Sequence, residues 1–358
     1  MISIAERLTK RLMLPAAELL PLLQTIGEIN VLNNEFRRSE QLTPQTLGRL
    51  SRSILVTSAG ASNRIEGNQL TDEQVDQLYQ NKRIQKFRTR DEQEVVGYLE
   101  VLELIFSSFD HMIFSEGLIL QLHQQMLEHS DKDSGQRGKY KFGPNRVEAR
   151  DETGTLIKVI FDPTEPRLTP HEMRELITRT QEQLRQSIFP PLLVIANFVF
   201  EFLAIHPFQD GNGRLSRLLT QLLMLQQGYG FTAYASHESV IESEKIAYYQ
   251  ALNKTQVSRK TDSENMIPWL DFFLGVIRQQ GLKAISIGTQ NQIEAYLSPR
   301  QLNIRRLLQS ERQATRKRLS EQSGIPYDTV GQILQKLVKM GKIEKRGSTR
   351  GTVYQLIG

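Results

Sequence analysis

HPFQDGNGRLSR, residues 206–217, stands between two apolar runs, Leu192–Ile205 and Leu218–Leu225. The runs read as two helices joined by this loop. Pro207 excludes helical geometry at His206, so the first helix ends there and presents an imidazole to the loop. Histidine is the side chain best suited to take a proton near neutral pH. Asp210 offers a hard oxygen ligand, and Mg²⁺ uses one or two carboxylates together with substrate phosphates. Gly211, Asn212 and Gly213 let the backbone approach a ligand closely. Their amides precede a helix beginning near Arg214, and bare N–H groups at a helix start favour a phosphate. Arg214 and Arg217 are three residues apart, hence on one helix face. A base, a metal ligand, an anion-binding turn and two cations are the parts that nucleotidyl transfer needs.

Outward from the loop, the chain reads as mainly α. Ala5 to about Arg38 has helical spacing broken at Pro15 and Pro21. Gln45–Ile65 reads as a helix closed by Gly67, and Thr71 with Gln74 reads as a capping pair opening the next. Asp91–Phe109, Ser115–Glu128 and Pro170–Gln186 are further helices. Lys139–Asp162 reads as a β-hairpin around an Asp151–Gly154 turn. Glu242–Leu252 and Ile267 to about Leu297 are helical, with His237 in a loop before them. Pro299 reads as a linker. The three expected regions are an N-terminal helical region 1–110, a core 111–297 and a tail 299–358.

At 358 residues, two or three units are expected, and 39% apolar residues suffice for a real core. The absence of cysteine excludes disulfides and thiolate metal sites. Charges at Glu6, Arg7, Lys10 and Arg11 argue against a secretory signal. The longest apolar stretch, interrupted by Asn197 and Glu201, is too short for a membrane span. A cytoplasmic protein without a membrane partner is the expectation. From Pro299 onward thirteen Lys/Arg stand against four acids, a net +9, whereas the preceding 298 residues carry −4. A basic module appended to a mildly acidic body follows.

Every fixed position of the loop matches the HPFx(D/E)GNGRxxR signature, and the chain resembles the Fic family. That resemblance implies a Fic-type helical core with a β-hairpin flap, and AMP transfer from ATP to a Ser, Thr or Tyr hydroxyl of a target protein. It makes His206 the general base and Asp210 the Mg²⁺ ligand bridging the α- and β-phosphates. Asn212 and the loop amides would cradle phosphates, and Arg214 and Arg217 would bind the β/γ end. Glycine at position 213, where the phosphotransferring Doc branch carries lysine, implies AMP transfer rather than phosphate transfer. The resemblance also makes a homodimer the expected state.

SNRIEG, residues 62–67, places Ser62 and Glu66 four apart on one helix face. Alone it is an ordinary surface pair. It also resembles the (S/T)xxxE(G/N) inhibitory segment of the Fic subclass whose brake lies N-terminal to the core. By that resemblance Ser62, Glu66 and Gly67 form the brake, and Glu66 pairs with Arg217 in the place of the γ-phosphate. Tyr248 and Tyr249, in YYQAL, resemble the border of the adenine pocket; a core role for at least one is the alternative. His123, His129 and His171 read as surface or packing residues.

In the tail, Gln301–Leu308, Thr315–Gln322 and Tyr327–Met340 read as three helices, followed by a two-stranded wing. The pattern looks like a winged helix-turn-helix, with Arg346 and Arg350 facing DNA phosphates. Dimer or partner contacts are the other reading of this module. For the whole chain two rivals stand beside AMP transfer: removal of AMP by the same site, and a DNA-binding regulator with a nucleotide-sensing core.

Overall fold

Ser3 opens the first helix, α1 (Ile4–Lys10), with a capping box: its hydroxyl accepts from the Glu6 amide, and Glu6 accepts from the Ser3 amide. α2 (Ala16–Ser39) follows and runs through Pro21, where the sequence predicted a break. A proline inside a helix costs ~3 kcal/mol. Burial of Leu22, Ile26, Ile29 and Phe36 along α2 offsets that loss. The computed structural model describes residues 3–39, 44–81, 87–145, 147–150, 156–161, 163–295, 299–339, 343–347 and 352–357. The chain divides into two compact units, Met1–Ile287 and Gly288–Gly358.

In the first unit come α3 (Pro44–Ile65), α4 (Asp72–Asn81), α5 (Arg90–Ser108) and α6 (Glu116–Met126). Thr71 and Gln74 exchange the two hydrogen bonds expected of them before α4. The hairpin is β1 (Val147–Arg150) and β2 (Leu156–Phe161), antiparallel, with Val147 opposite Phe161 and Arg150 opposite Leu156. It is shorter than the predicted Lys139–Asp162. Tyr140 packs on Phe208, and the Lys141 amide donates to the Pro207 carbonyl, so this end of the segment joins the loop instead of a strand. The Asp151–Gly154 turn and Asp162 lie outside the described residues.

α7 (Thr169–Gln186), α8 (Pro191–Ile205), α9 (Asn212–Gln226), α10 (His237–Ser243), α11 (Lys245–Gln256) and α12 (Ile267–Ala295) complete the body. Two expectations are corrected here. Ser236 caps α10, so His237 lies in a helix and is buried. The single helix predicted from Glu242 is two, because Glu244 leaves helical geometry at φ −114° and ψ 29°.

Helix α8 is the axis of the core: every residue from Leu192 to Ile205 is buried. A helix apolar on all sides belongs inside. Its two polar interruptions are satisfied there. Asn197 Nδ2 donates to the Leu8 carbonyl at 2.8 Å. Glu201 accepts from Arg11 at 2.7 Å and from Arg259 at 2.8 Å, which pins α1 and the segment after α11 to α8. Those guanidinium groups outweigh the burial of Glu201 and hold its carboxyl well below the usual range. Helices α7 and α9 pack against α8, so the ends of α8 and α9 meet at the loop. No helix among the described residues is long and apolar enough to cross a membrane.

The second unit contains α13 (Pro299–Glu311), β3 (Gln313–Thr315), α14 (Arg316–Ser323), α15 (Tyr327–Lys339), β4 (Ile343–Arg346) and β5 (Val353–Leu356). Pro299, expected as a linker, is the first residue of α13, where its missing N–H costs nothing. The sheet has three antiparallel strands in the order β3-β5-β4 rather than two. β3 escapes sequence reading because it has only three residues. Ile304, Leu308, Leu319, Val330, Leu334, Leu337 and Ile343 form a separate core. Gly324 closes α14 at φ 67°, as the Ser323–Pro326 turn requires. Arg350 and most of the predicted wing tip lie outside the described residues.

Candidate active site

Helix α8 ends on His206, which adopts the left-handed conformation at φ 52° and ψ 62°. For a residue with a Cβ this costs ~1–3 kcal/mol and persists only where the surroundings impose it. Those surroundings are specific. Lys141 Nζ donates to the Ile205 carbonyl at 3.0 Å, and Asn145 Nδ2 donates to the carbonyls of His206 and Phe208 at 3.2 and 2.9 Å. The Asn212 side chain accepts from the Phe208 amide at 2.9 Å and donates to its carbonyl at 2.8 Å. Asn212 thus braces the loop with the side chain expected to touch phosphate, and its contribution to the cavity is made from the loop it holds.

Of the two roles expected for His123, surface or packing, the structure has packing: it is buried, and its ring stacks on Phe208 at 3.8 Å between centroids. It also does more. Nδ1 accepts from the Gly138 amide at 3.0 Å, so Nε2 carries the proton and donates to the Asp210 carbonyl at 3.1 Å. Burial pushes this imidazole down to about 4, which keeps it neutral. His123, Lys141 and Asn145 carry no sequence signal, since they act on backbone carbonyls that any sequence offers.

A cavity of about 90 Å³ opens at the loop, lined by Glu66, His206, Gln209, Asp210, Gly211, Asn212, Gly213 and Arg214. His206 Nδ1 lies 3.2 Å from the Leu203 carbonyl. Donation there leaves Nε2 as the basic nitrogen. Burial is the main cause that pushes this imidazole down to about 4; Lys141 adds to it, while the Leu203 carbonyl, Glu66 and Asp210 oppose it. Asp210 accepts from the Gly211 amide at 2.7 Å, from Arg90 at 2.9 Å and from Arg214 at 3.3 Å. Burial alone would raise its pKa; Arg214, the Gly211 amide and Arg90 outweigh burial and lower it. Gly211 needs its glycine, at φ 81° with the Met126 methyl 2.7 Å from where a Cβ would stand.

Among the described residues no cluster of three or more His, Asp or Glu could hold a metal by itself. A single cavity-lining carboxylate fits a divalent cation that takes its remaining oxygens from a triphosphate and water. Asp210 is that carboxylate. Arg214 Nε and Arg217 Nη1 are buried donors without a hydrogen-bond partner, and Arg214 Nη1 has the Glu94 carboxylate at 3.4 Å. Such donors are costly unless an anion meets them.

Arg217 points away from Arg214, toward α3. Its Nε donates to Ser62 Oγ at 2.8 Å, and its Nη2 to the Ser62 carbonyl at 2.9 Å and to Glu66 Oε1 at 2.8 Å. Burial opposes the charge, but Glu66, Tyr248 and Tyr98 hold the guanidinium pKa above its usual value. α3 delivers Glu66 by a Schellman close: the Asn68 amide reaches the Asn63 carbonyl, the Gly67 amide the Arg64 carbonyl, and Gly67 stands at φ 103°. Arg64 fastens this end of α3 to Glu242 at 2.6 Å and Asp72 at 2.9 Å. A Cβ at Gly213 would collide with Glu66 Oε1, so glycine at 213 makes room for the glutamate.

Tyr248 and Tyr249 stand outside the lining of the loop cavity. Tyr248 is buried against Trp269 and Phe272, and borders a second, small apolar cavity of about 20 Å³ together with Arg217 and His237. Tyr249 is half-buried beside it. Behind Arg217, Tyr98 donates to the buried Glu238 at 2.8 Å. Arg90, at the start of α5, is hydrogen-bonded to Asp210 and carries no signal in the sequence.

The loop joins two buried helices, α8 and α9, and the comparisons with known proteins bear on the same stretch. Residues 113–224 match the model of the Fic/DOC family. The chain is similar to protein adenylyltransferase fic-1 of Caenorhabditis elegans, at 25% identity over 57% of this chain and 38% of the relative. It is also similar to protein adenylyltransferase Fic of Drosophila melanogaster, at 28% identity over 46% of this chain and 31% of the relative. It therefore spans well under half the length of these relatives. Among solved structures, a Fic family protein from Desulfovibrio desulfuricans G20 has the same fold at a TM-score of 0.62 and 23% identity, over 97% of this chain and 98% of the other. A Fic domain containing protein from Bacteroides thetaiotaomicron matches 74% of this chain and 98% of its own at a TM-score of 0.60 and 24% identity.

The depressed histidines set a pH dependence. His206 and His123 fall to about 4 from an ordinary 6.5, so the unfolded chain binds more protons than the fold between those values. Their contribution to stability is complete above pH 6.5 and is lost as the pH falls toward 4. A melting midpoint that declines over that window, and is restored in part by His123→Gln, is the expected result in a thermal scan. A midpoint that rises on acidification would contradict it.

Proposed function

We propose that this chain is an autoinhibited protein adenylyltransferase. It transfers AMP from ATP to a Ser, Thr or Tyr hydroxyl of a target protein, and of itself, and releases diphosphate. The observation that carries the reading is one cavity holding His206, Asp210, the loop amides and Arg214, with Glu66 at its wall and bound to Arg217. His206 Nε2 takes the proton of the target hydroxyl. The hydroxyl oxygen bonds to the α-phosphorus, and the bond to the bridging oxygen breaks as diphosphate leaves. The loop amides and Arg214 steady the phosphates, and Arg217 does so once Glu66 withdraws. Asp210 would hold Mg²⁺, which supplies charge neutralisation for the leaving diphosphate. The test is transfer of label to protein from the α-phosphate of ATP and not from the γ-phosphate. Label from the γ-phosphate would make the chain a phosphotransferase.

Ser62, Glu66 and Gly67 form the brake in this reading. The carboxylate occupies the guanidinium that a γ-phosphate needs, and places negative charge where the triphosphate arrives. Because Glu66 shares its cavity with His206, removal of AMP is a second reading, in which Glu66 orients an attacking water. Loss of AMP from a modified protein with wild type but not with Glu66→Gly would favour it.

The second unit is, in this proposal, a winged helix-turn-helix that binds DNA. α13, β3, α14, α15 and the β4–β5 pair follow the order such a module needs, and the tail carries the net +9. Gln332, Gln335 and Lys336 are exposed on one face of α15, as a groove-entering helix requires. The expected result is duplex binding that weakens with salt, with Lys336→Ala reducing the slope by ~1. Salt-independent binding, or none at low salt, would leave the module to partner contacts. A cytoplasmic homodimer completes the proposal.

A further inference from the structure

Four charged side chains beside the loop close into a ring of alternating sign. Asp210 Oδ2 accepts from Arg90 Nη2 at 2.9 Å and from Arg214 Nη2 at 3.3 Å. Glu94 Oε1 accepts from Arg90 Nε at 2.6 Å, and Glu94 Oε2 lies 3.4 Å from Arg214 Nη1. Arg214 is sealed in at 2% side-chain exposure and Glu94 at 10%, whereas Arg90 is 48% exposed. Arg90 is therefore the member of the ring that can change partner without repacking the core.

We infer that Arg90 is an exchangeable nucleotide-binding cation: it neutralises Asp210 in the resting protein and passes to a phosphate oxygen when Asp210 turns to a divalent cation. This rests on the reading of the loop cavity as a nucleotide site. Asp210 Oδ2 already faces two guanidinium groups, and a divalent cation on the same oxygen repels both. Arg214 is confined by burial and by Glu94, so Arg90 is the one to leave. The place it leaves for is prepared. Arg214 lines the cavity and keeps a buried Nε without a hydrogen-bond partner, a donor that an anion there would satisfy. Arg90 is also the first residue of α5, at the positive end of that helix. Glu94, one turn on, is the positioning residue, because its two oxygens set Arg90 and Arg214 side by side.

The test uses the full chain as the Glu66→Gly/His206→Ala variant, which binds ATP without turning it over. Calorimetry gives the Kd for ATP in EDTA and in Mg²⁺, and Mn²⁺ alone probes Asp210 without nucleotide. Adding Arg90→Ala is expected to raise the ATP Kd about 10-fold, the worth of one charge-assisted hydrogen bond. Arg90→Lys keeps the charge and should recover most of the affinity. Mn²⁺ alone should bind more tightly to Arg90→Ala than to its parent, because Asp210 has lost a competitor. An ATP Kd within twofold of the parent overturns the inference, as does unchanged Mn²⁺ affinity, or an Arg90→Lys variant no better than Arg90→Ala. If the parent itself binds no ATP, the nucleotide reading of the cavity fails instead.

Discussion

His206→Ala, placed in a Glu66→Gly background, lowers AMP labelling of protein by ~10²- to 10⁴-fold, the usual worth of a positioned base. The expectation follows from how much of the structure is spent on this one imidazole. The backbone is held left-handed at φ 52°, Nδ1 faces the Leu203 carbonyl, and Lys141 and Asn145 fix the carbonyls around it. A side chain depressed to about 4 is neutral at pH 7, the protonation state a general base requires. ATP binding should survive, since the proposed function gives the phosphates to the loop amides and arginines and not to His206. The decisive comparison is labelling rate against ATP Kd for the same variant. A labelling rate within threefold of the parent removes His206 from the chemistry; loss of ATP binding in step with rate would make it a ligand contact rather than a base.

Glu66→Gly is expected to raise labelling of the otherwise wild-type chain by about 10- to 100-fold, the range of a charge-assisted hydrogen bond converted to a rate. Arg217 would keep Ser62 as a partner and would present Nη2, and the already unpartnered Nη1, to the triphosphate. The negative charge at the cavity wall goes with the same substitution. Gly213→Ala should act in the same direction, because its methyl group would push Glu66 off Arg217 without touching the glutamate's own chemistry. Equal labelling by wild type, Glu66→Gly and Gly213→Ala would show that the contact seen here is no brake.

The legible part of the site is the part written within a few residues. His206, Asp210, Gly211 and Gly213 stand in one loop, and the end of α3 at Gly67 is announced by the glycine itself. Thr71 with Gln74 could be read as a cap for the same reason: the partners are three apart. What sequence reading missed acts across long separations or on the backbone. Arg90 meets Asp210 across 120 positions, and His123 meets its carbonyl across 87. Pro21 predicts a break because local rules count the lost N–H and cannot see Ile26 and Phe36 being buried. Tyr248 and Tyr249 were singled out together, yet adjacent helical residues point some 100° apart, and only packing against Trp269 and Phe272 shows which one is core.

From the amino acids alone came a helical protein, a loop with the chemistry of phosphate and proton transfer, and a separate basic tail, since periodicity, turn residues and charge are local quantities. Tertiary structure alone decided that Ser62 joins the expected partner Glu66 on Arg217, that Arg214 is locked to Asp210 and Glu94, and that Asn212 serves the loop's own backbone. A guanidinium has several donors and no fixed address; which acid or carbonyl it meets depends on where distant helices pack.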